Sequence, residues 1–374
     1  MILMYAGFTA LILFLLALDL GVFNRKAHVV SVREALGWSA FWIFLGLSFS
    51  VFIYFGYENH WLGLGLTPDL MGSAPRTIEG LGAVYNDGAS ATMKYLTGYL
   101  VEKSLSVDNI FVISMIFGFL AVPAIYQHRV LFWGIVGALL MRGIMIAVGA
   151  AMIQEFAWII YVFGGFLILT GVKMLVVKAD NTDPHSNIIV RLTRRLFPIT
   201  QRFHGQHFFV RAGSSASTMV PVPDGGGVDR DPAVAAAEPG TLMMTPLFLA
   251  LLMVETCDVI FAVDSVPAIF SITADPFLVF TSNVFAILGL RSLFFALAGM
   301  LNRFHLLEVA LAIVLALVGI KMLVGHWLEQ WLGHDYNFYV LALVVLILVG
   351  GVVASLAFPP HEEDDAHGAD HGDG

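Results

Sequence analysis

Charge is scarce in this chain of 374 residues: Asp, Glu, Lys and Arg together supply 13% of it, against 58% hydrophobic residues. A soluble domain carries about a quarter charged residues, so the composition excludes one. Cysteine is all but missing. Cys257 stands alone, which rules out an intramolecular disulfide and any cysteine-cluster metal site. No P-loop, kinase or metalloprotease motif occurs. The chain is therefore expected to be no enzyme, to hold no resident cofactor and to bind no nucleic acid. The short alternating segments of a β-barrel are lacking too. The first run, from Met1, has neither a basic flank nor a small-residue cleavage site, so a retained helix is expected there rather than a signal peptide. The net charge of −9 carries little weight, because much of it sits in the tail from His361.

What remains is apolar sequence in runs of bilayer length. Mean hydropathy is +0.83, and about 20 apolar residues suffice for a helix to cross. Nine candidate spans cover roughly 3–23, 36–57, 95–121, 129–150, 156–177, 245–272, 278–301, 306–326 and 337–358. They predict an all-α, polytopic helical membrane protein embedded in a lipid bilayer. Its parts are two N-terminal helices with an outer loop (1–94), a three-helix unit (95–177), a polar loop (178–244), a second three-helix unit (245–326), a last helix (327–358) and an acidic, His-containing tail (359–374). The polar loop is basic in its first half (Arg191, Arg194, Arg195, Arg202, Arg211). Its second half, Gly213 to Gly240, is rich in Gly, Ala, Ser and Pro and is expected to be disordered. The tail reads as a solvated acidic segment rather than a metal site. Basic residues crowd one side of the nine spans: if the N-terminus lies outside, only Arg76 and Lys94 fall in outer loops. That bias predicts an outer N-terminus and a cytoplasmic C-terminus.

One apolar run, about 245–272, carries Glu255, Asp258, Asp264 and Pro267. Each ionised group near a bilayer centre costs roughly 2.5–3.5 kcal/mol, so such residues mark an ion or substrate path. The proline removes a backbone donor, and the segment is expected to be a broken helix.

The two three-helix units resemble each other. With Asp108 aligned on Asp264, Glu102 falls on Asp258 and Asn109 on Ser265. Further on, Gly137-x4-Arg142 parallels Ala286-x4-Arg291, and Gly171-Val-Lys173-Met-Leu-Val parallels Gly319-Ile-Lys321-Met-Leu-Val. Each unit has an odd number of spans, so the second is inverted relative to the first. Inverted repeats with charges at membrane depth are a pattern of secondary transporters.

Six acids (Asp19, Glu102, Asp108, Glu255, Asp258, Asp264) and five bases (Lys103, Arg142, Lys173, Arg291, Lys321) fall within the spans. Asp19, Lys173 and Lys321 lie near span ends, where long side chains snorkel to the interface; for Asp19 a functional role stands equally open. Arg142 and Arg291 lie near mid-span and need carboxylate partners. In one reading Asp108 and Asp264 pair with the two arginines and merely fix the packing. That leaves Glu102, Glu255 and Asp258 without central bases. The other reading takes this acidic surplus, with Asn109 and Ser265, as a cation path. Oxygen ligands without paired histidines or thiolates suit Mg²⁺, Ca²⁺ or Mn²⁺. With no ATPase motif, movement of the ion would draw on a gradient, and buried carboxylates could exchange protons for metal; metal flux without a linked pH change would remove that hypothesis.

Several stretches resemble the TerC family of integral membrane proteins, close to its Alx-like bacterial branch. They are Leu96 to Phe111, Asp258 to Phe270, Thr281 to Arg291, His207 to Arg211 and the two Gly-x-Lys-Met-Leu-Val ends. The Gly213–Gly240 insert and the acidic tail depart from the family pattern. The resemblance implies a manganese exporter of the bacterial inner membrane, in a family named for tellurium resistance. It implies Glu102, Asp108, Asn109, Glu255, Asp258, Asp264 and Ser265 as the metal path, and Asp19 also matches a family acid. Two other readings stand beside it: a non-transporting scaffold with membrane-protein partners, and a tellurite or oxyanion carrier using Arg142 and Arg291.

Overall fold

A computed structural model describes residues 2–18, 30–69, 75–80, 82–156, 158–176, 198–213, 220–221, 228–229, 231–297, 305–332 and 336–357. The chain is a succession of apolar helices: α1 (Ile2–Leu18), α2 (Val32–Glu58), α3 (Gly88–Phe119), α4 (Ala124–Glu155), α5 (Ile159–Val176), α6 (Pro246–Phe270), α7 (Pro276–Leu288), α8 (Leu290–Leu297), α9 (His305–Leu332) and α10 (Tyr336–Ala357). Every run expected from hydropathy falls on one of these, with α7 and α8 together filling the seventh. Five segments, α2, most of α4, α6, α7–α8 and most of α10, are long and apolar enough to cross a membrane. Parts of α1, α5 and α9 are shorter apolar helices. The 32-residue α3 carries Lys94, Glu102, Lys103 and Asp108, which sets it apart from the purely apolar helices. Large apolar side chains such as Phe44, Leu140, Leu169 and Leu346 point outward, while Arg142, Glu102 and Asn283 are buried. That inside-out distribution suits lipid around a polar centre.

Local chemistry sets several boundaries. Ser31 accepts from Glu34 N and starts α2, Asp87 accepts from Ser90 N and starts α3, and Asp275 accepts from Phe277 N and starts α7. Pro246 and Pro276 stand at first helical positions, where the missing N–H costs nothing.

The break expected in the Pro267 segment is absent: α6 runs from Pro246 to Phe270 with Pro267 inside it. Pro267 comes within a turn of the helix end, so it removes one internal bond, and Ser271 N still reaches the Pro267 carbonyl at 3.0 Å. The interruption lies one span later, at Gly289 between α7 and α8. Lys103 of α3 donates to the Ala286 carbonyl there, at 3.0 Å, satisfying an acceptor that the interruption exposes.

Glycines set the helix pairs. Gly134, Gly137 and Gly149 of α4 face Val254, Glu255 and Phe270 of α6, so these two helices run side by side in one direction. Gly98 of α3 faces Ser282 of α7 in the same manner. Helices α5 and α9 run oppositely: Gly164 meets the Gly319 backbone and Gly171 meets that of Ala312. Such backbone approach is open only to small residues. Helix α1 packs its Phe8 among Phe49, Phe277 and Phe285.

The polar loop is partly built. Strand β1 (Arg76–Ile78) pairs with β2 (Gly82–Val84) in the loop between α2 and α3, and β3 (Phe209–Arg211) pairs with β4 (Leu242–Met244) in the polar loop. Part of the stretch expected to be disordered has structure. Asp231 accepts from Arg202 N and Ala233 N and lies 3.2 Å from His204 Nε2, fixing the turn of helix Pro232–Ala236. Arg129 of α4 lies over the Phe208 ring. Residues 214–219, 222–227 and the tail lie outside the described residues, as do Asp19 and the basic Arg191, Arg194 and Arg195.

Candidate functional site

The centre of the helix array is a single guanidinium. Arg142 of α4 is 2% exposed. It donates to Glu102 of α3, and to Asp258 of α6 twice, from Nε at 3.3 Å and from Nη2 at 3.0 Å. Its Nη1 also lies 3.2 Å from Ser265 Oγ and 3.2 Å from Asn283 Oδ1 of α7. Four helices therefore meet on one cation. A buried guanidinium is tolerable only when its donors are met and its charge balanced. The expectation that Arg142 needs carboxylates is met, with Glu102 and Asp258 as the partners.

A small, partly open cleft adjoins this centre. Asn109, Cys257, Asp258 and Arg291 give it polar groups among apolar side chains such as Ile113, Leu131 and Phe261. It extends toward Val254 and Leu131, the side on which α4 and α6 begin. Glu255 lies one helical turn before Asp258 and its carboxylate packs on Gly137, where a Cβ would collide with it. Asp108 and Asp264 lie on α3 and α6; their side chains are outside the described residues. Among the described residues no cluster of three or more His, Cys, Asp or Glu is arranged to hold a metal. Lys173 is exposed, as expected of a snorkelling lysine, whereas Lys321 is 3% exposed. The tight α5–α9 seam turns Lys321 inward, within electrostatic reach of Asp69 and Lys94.

A second polar cluster closes the opposite end and was not foreseen. Asp69, in the loop between α2 and α3, accepts from Lys94 Nζ (2.9 Å), Asn86 Nδ2 (3.1 Å), Thr273 Oγ1 (2.5 Å) and Ala274 N (2.7 Å). Burial alone would raise its pKa, but Lys94, Thr273, Ala274 and Asn86 together bring it down to about 2. Neighbouring Asp275 accepts from Tyr57 Oη at 3.0 Å. Burial, then the charge of Asp69, pushes its carboxyl up to about 6. Lys94 belongs to α3 rather than to the loop, because Asp87 starts that helix earlier than hydropathy suggests. Sequence reasoning gave Asn283 and Asp69 no role, and it counted Lys103 among the bases within the spans without a partner. Asn283 and Lys103 sit in apolar context beside a break with no signature of its own, and Asp69 sits in an aperiodic loop.

The description "Integral membrane protein TerC family" matches residues 87–363. The chain belongs to the TerC family. This TerC-family chain is 46% identical over 358 residues, 96% of its length and 93% of the other's, to the uncharacterised membrane protein STKORF319 of Myxococcus xanthus. Alx of Photorhabdus laumondii, provisionally described as a membrane-bound redox modulator, is 41% identical over 348 residues, 93% of this chain and 94% of that one. Alx of Escherichia coli K12, described in the same terms, is 39% identical over 323 residues, 86% of each chain. No solved structure matches the chain. The family match takes in α3 to α10, and so every helix that contributes to the Arg142 centre.

Proposed function

We propose that this chain exports a hard divalent cation, with Mn²⁺ as the favoured substrate, by a gradient-driven mechanism. The observation that carries the reading is the balance of charges along the helices that meet at Arg142. On the helices that meet at Arg142 and on α8, setting aside Lys94, which pairs with Asp69, and Arg129 and Glu155 toward the ends of α4, Glu102, Asp108, Glu255, Asp258 and Asp264 stand against Lys103, Arg142 and Arg291. Five acids against three bases leave two negative charges uncompensated, which matches one divalent ion. The set is oxygen-rich, which favours Mn²⁺, Mg²⁺ or Ca²⁺ over softer metals; the choice of Mn²⁺ rests on the family resemblance. The proposed metal path is Glu102, Asp108, Asn109, Glu255, Asp258, Asp264 and Ser265. The cleft bordered by Asn109 and Asp258 gives an ion an approach.

The helix contacts support the inverted-repeat reading on which alternating access would rest. Exchanging the two units turns the α3–α7 pair into the α6–α4 pair. With Gly171 aligned on Gly319, the contact of Gly164 with Gly319 turns into that of Gly171 with Ala312, and both are present. Glu102 and Asp258, equivalent in the alignment, are held by the same guanidinium. With an outer N-terminus and nine spans in the bacterial inner membrane, the cleft faces the cytoplasm and the Asp69 cluster faces out. An oxyanion carrier fits less well, because Arg142 is already engaged by two carboxylates.

The test is uptake into inside-out vesicles with Mn²⁺, Mg²⁺, Ca²⁺ and Zn²⁺ compared. Mn²⁺ accumulation that Asp258→Asn abolishes is the expected result. Equal metal content with and without the protein would end the transport reading and leave the scaffold one.

A further inference from the structure

The Arg142 centre holds an imbalance that packing alone does not require. Nη1 carries two protons, yet three acceptors stand around it: Glu102 Oε1, Ser265 Oγ and Asn283 Oδ1. At the same time Asn283 Nδ2, on a fully buried side chain, has no hydrogen-bond partner among the described residues, and Glu102 has the Ser265 hydroxyl as its other neighbour. One donor nitrogen is over-subscribed while the Asn283 amide nitrogen beside it is left unpartnered. Buried polar groups are nearly always paired. A purely structural guanidinium would be expected to satisfy both oxygens of a buried carboxylate, as Arg142 does for Asp258. The arrangement fits a cation that has more than one set of partners.

Resting on the export reading above, we propose that Arg142 is a tethered counter-cation: it fills the position between Glu102 and Asp258 in the metal-free protein and yields those carboxylates to the divalent ion. The guanidinium and a divalent cation cannot both sit between the same two carboxylates, since they repel each other there. Asn283, outside the proposed metal path, offers Nη1 an alternative acceptor, so Arg142 can release both acids without leaving all its donors unmet. Arg142 thereby sets both affinity and release. It competes with the ion for Glu102 and Asp258, and its return ejects the ion. Asn283, which no sequence pattern marked, is a positioning residue in this scheme: it accepts the arginine when the acids are occupied.

A site that its own arginine occupies about nine-tenths of the time binds metal about tenfold more weakly than the same site vacated. The experiment is Mn²⁺ binding to full-length protein in nanodiscs, read by the electron paramagnetic resonance signal of free Mn²⁺, alongside vesicle transport. Arg142→Gln is expected to bind Mn²⁺ about tenfold more tightly than wild type and to turn over more slowly. Arg142→Lys, which keeps the charge without the fork, is expected to fall between them. A folded Arg142→Gln protein with unchanged or weaker binding overturns the proposal. The unmutated chain supplies a check that survives misfolding of that variant. In ¹⁵N-arginine-labelled protein, the Arg142 Nε–H resonance, identified by its loss in Arg142→Lys, is expected to shift as Mg²⁺ is added to levels that displace Mn²⁺. A resonance that stays in place at saturation overturns the proposal as well. If wild type neither binds nor moves a hard divalent cation, the export reading falls and takes this one with it. If wild type transports normally while Arg142→Gln gains no affinity, this inference alone falls.

Discussion

Glu102 and Asp258 occupy equivalent places in the two units, yet Arg142 holds them differently, one through a single nitrogen and the other through two. Removing one member of a buried ion pair typically costs about 3–5 kcal/mol, because the survivor is left uncompensated. Truncation to alanine would thus confuse stability with transport. Glu102→Gln and Asp258→Asn keep the shape and an oxygen acceptor. Each is expected to lower Mn²⁺ transport by at least about tenfold while the protein still inserts, whereas Lys173→Gln, on an exposed side chain, is expected to leave it unchanged. Vesicle uptake normalised to inserted protein checks both. Asp275 makes a second prediction. Its folded pKa, about 6, lies above its ordinary value of 3.8, so the folded state binds more protons in that window. Stability contributed by this group is therefore fullest below about pH 4 and lost as pH rises through 6. The swing is on the order of 3 kcal/mol. Asp275→Asn keeps the cap on α7 and is expected to remove this component. The fall in melting temperature between pH 5 and pH 7 should be smaller for the variant than for wild type; an equal fall would mean that Asp275 does not titrate there.

The elements themselves were largely legible in the sequence. Apolar runs of bilayer length have few conformational options, since every backbone group must be satisfied within the run, and each run lies on a described helix. Breaks were less legible. Pro267 looked like a breaker, but a proline near a helix end removes little, and Ser271 N still bonds to its carbonyl. Gly289 looked like nothing in an apolar stretch; its role emerges only when Lys103, 186 residues earlier in sequence, caps the exposed carbonyl of Ala286. The site was half legible. Charges in apolar sequence advertise themselves, but the choice of Glu102 and Asp258 as partners of Arg142 depends on which helices run side by side. Small residues decide that. Gly171 lies where a Cβ would meet the Ala312 carbonyl oxygen at 2.6 Å, and Gly319 where one would meet that of Gly164 at 2.8 Å. Gly171→Leu or Gly319→Leu is expected to force α5 and α9 apart at a cost of about 1–3 kcal/mol or more, lowering the melting temperature in nanodiscs. Gly165, where a Cβ meets nothing, is the control: Gly165→Ala should be tolerated.

At the scale of the whole molecule, two polar clusters stand at different depths. Asp69, Lys94, Asn86 and Thr273 tie the α2–α3 loop to α3 and to the α6–α7 connection, while the cleft beside Asp258 opens at the other end. Under the orientation and export function proposed above, this is the form closed outside and accessible from within. The chain carries its own reporter for that state, because its one cysteine, Cys257, lines the cleft next to Asp258. No cysteine need be added or removed. A membrane-impermeant maleimide is expected to label Cys257 in inside-out vesicles and to label it far less in right-side-out cells, and Mn²⁺ is expected to slow the labelling by occupying the neighbouring carboxylates. Weakening the outer tie with Asp69→Asn should shift the protein toward its outward form, so that labelling from outside rises and labelling from inside falls together. Cys257→Ser should transport as wild type does, since sulfur is not needed for a hard cation; a loss of transport in that variant would count against an all-oxygen path. Equal labelling from both sides, insensitive to Asp69→Asn, would mean that the outer cluster holds no gate closed.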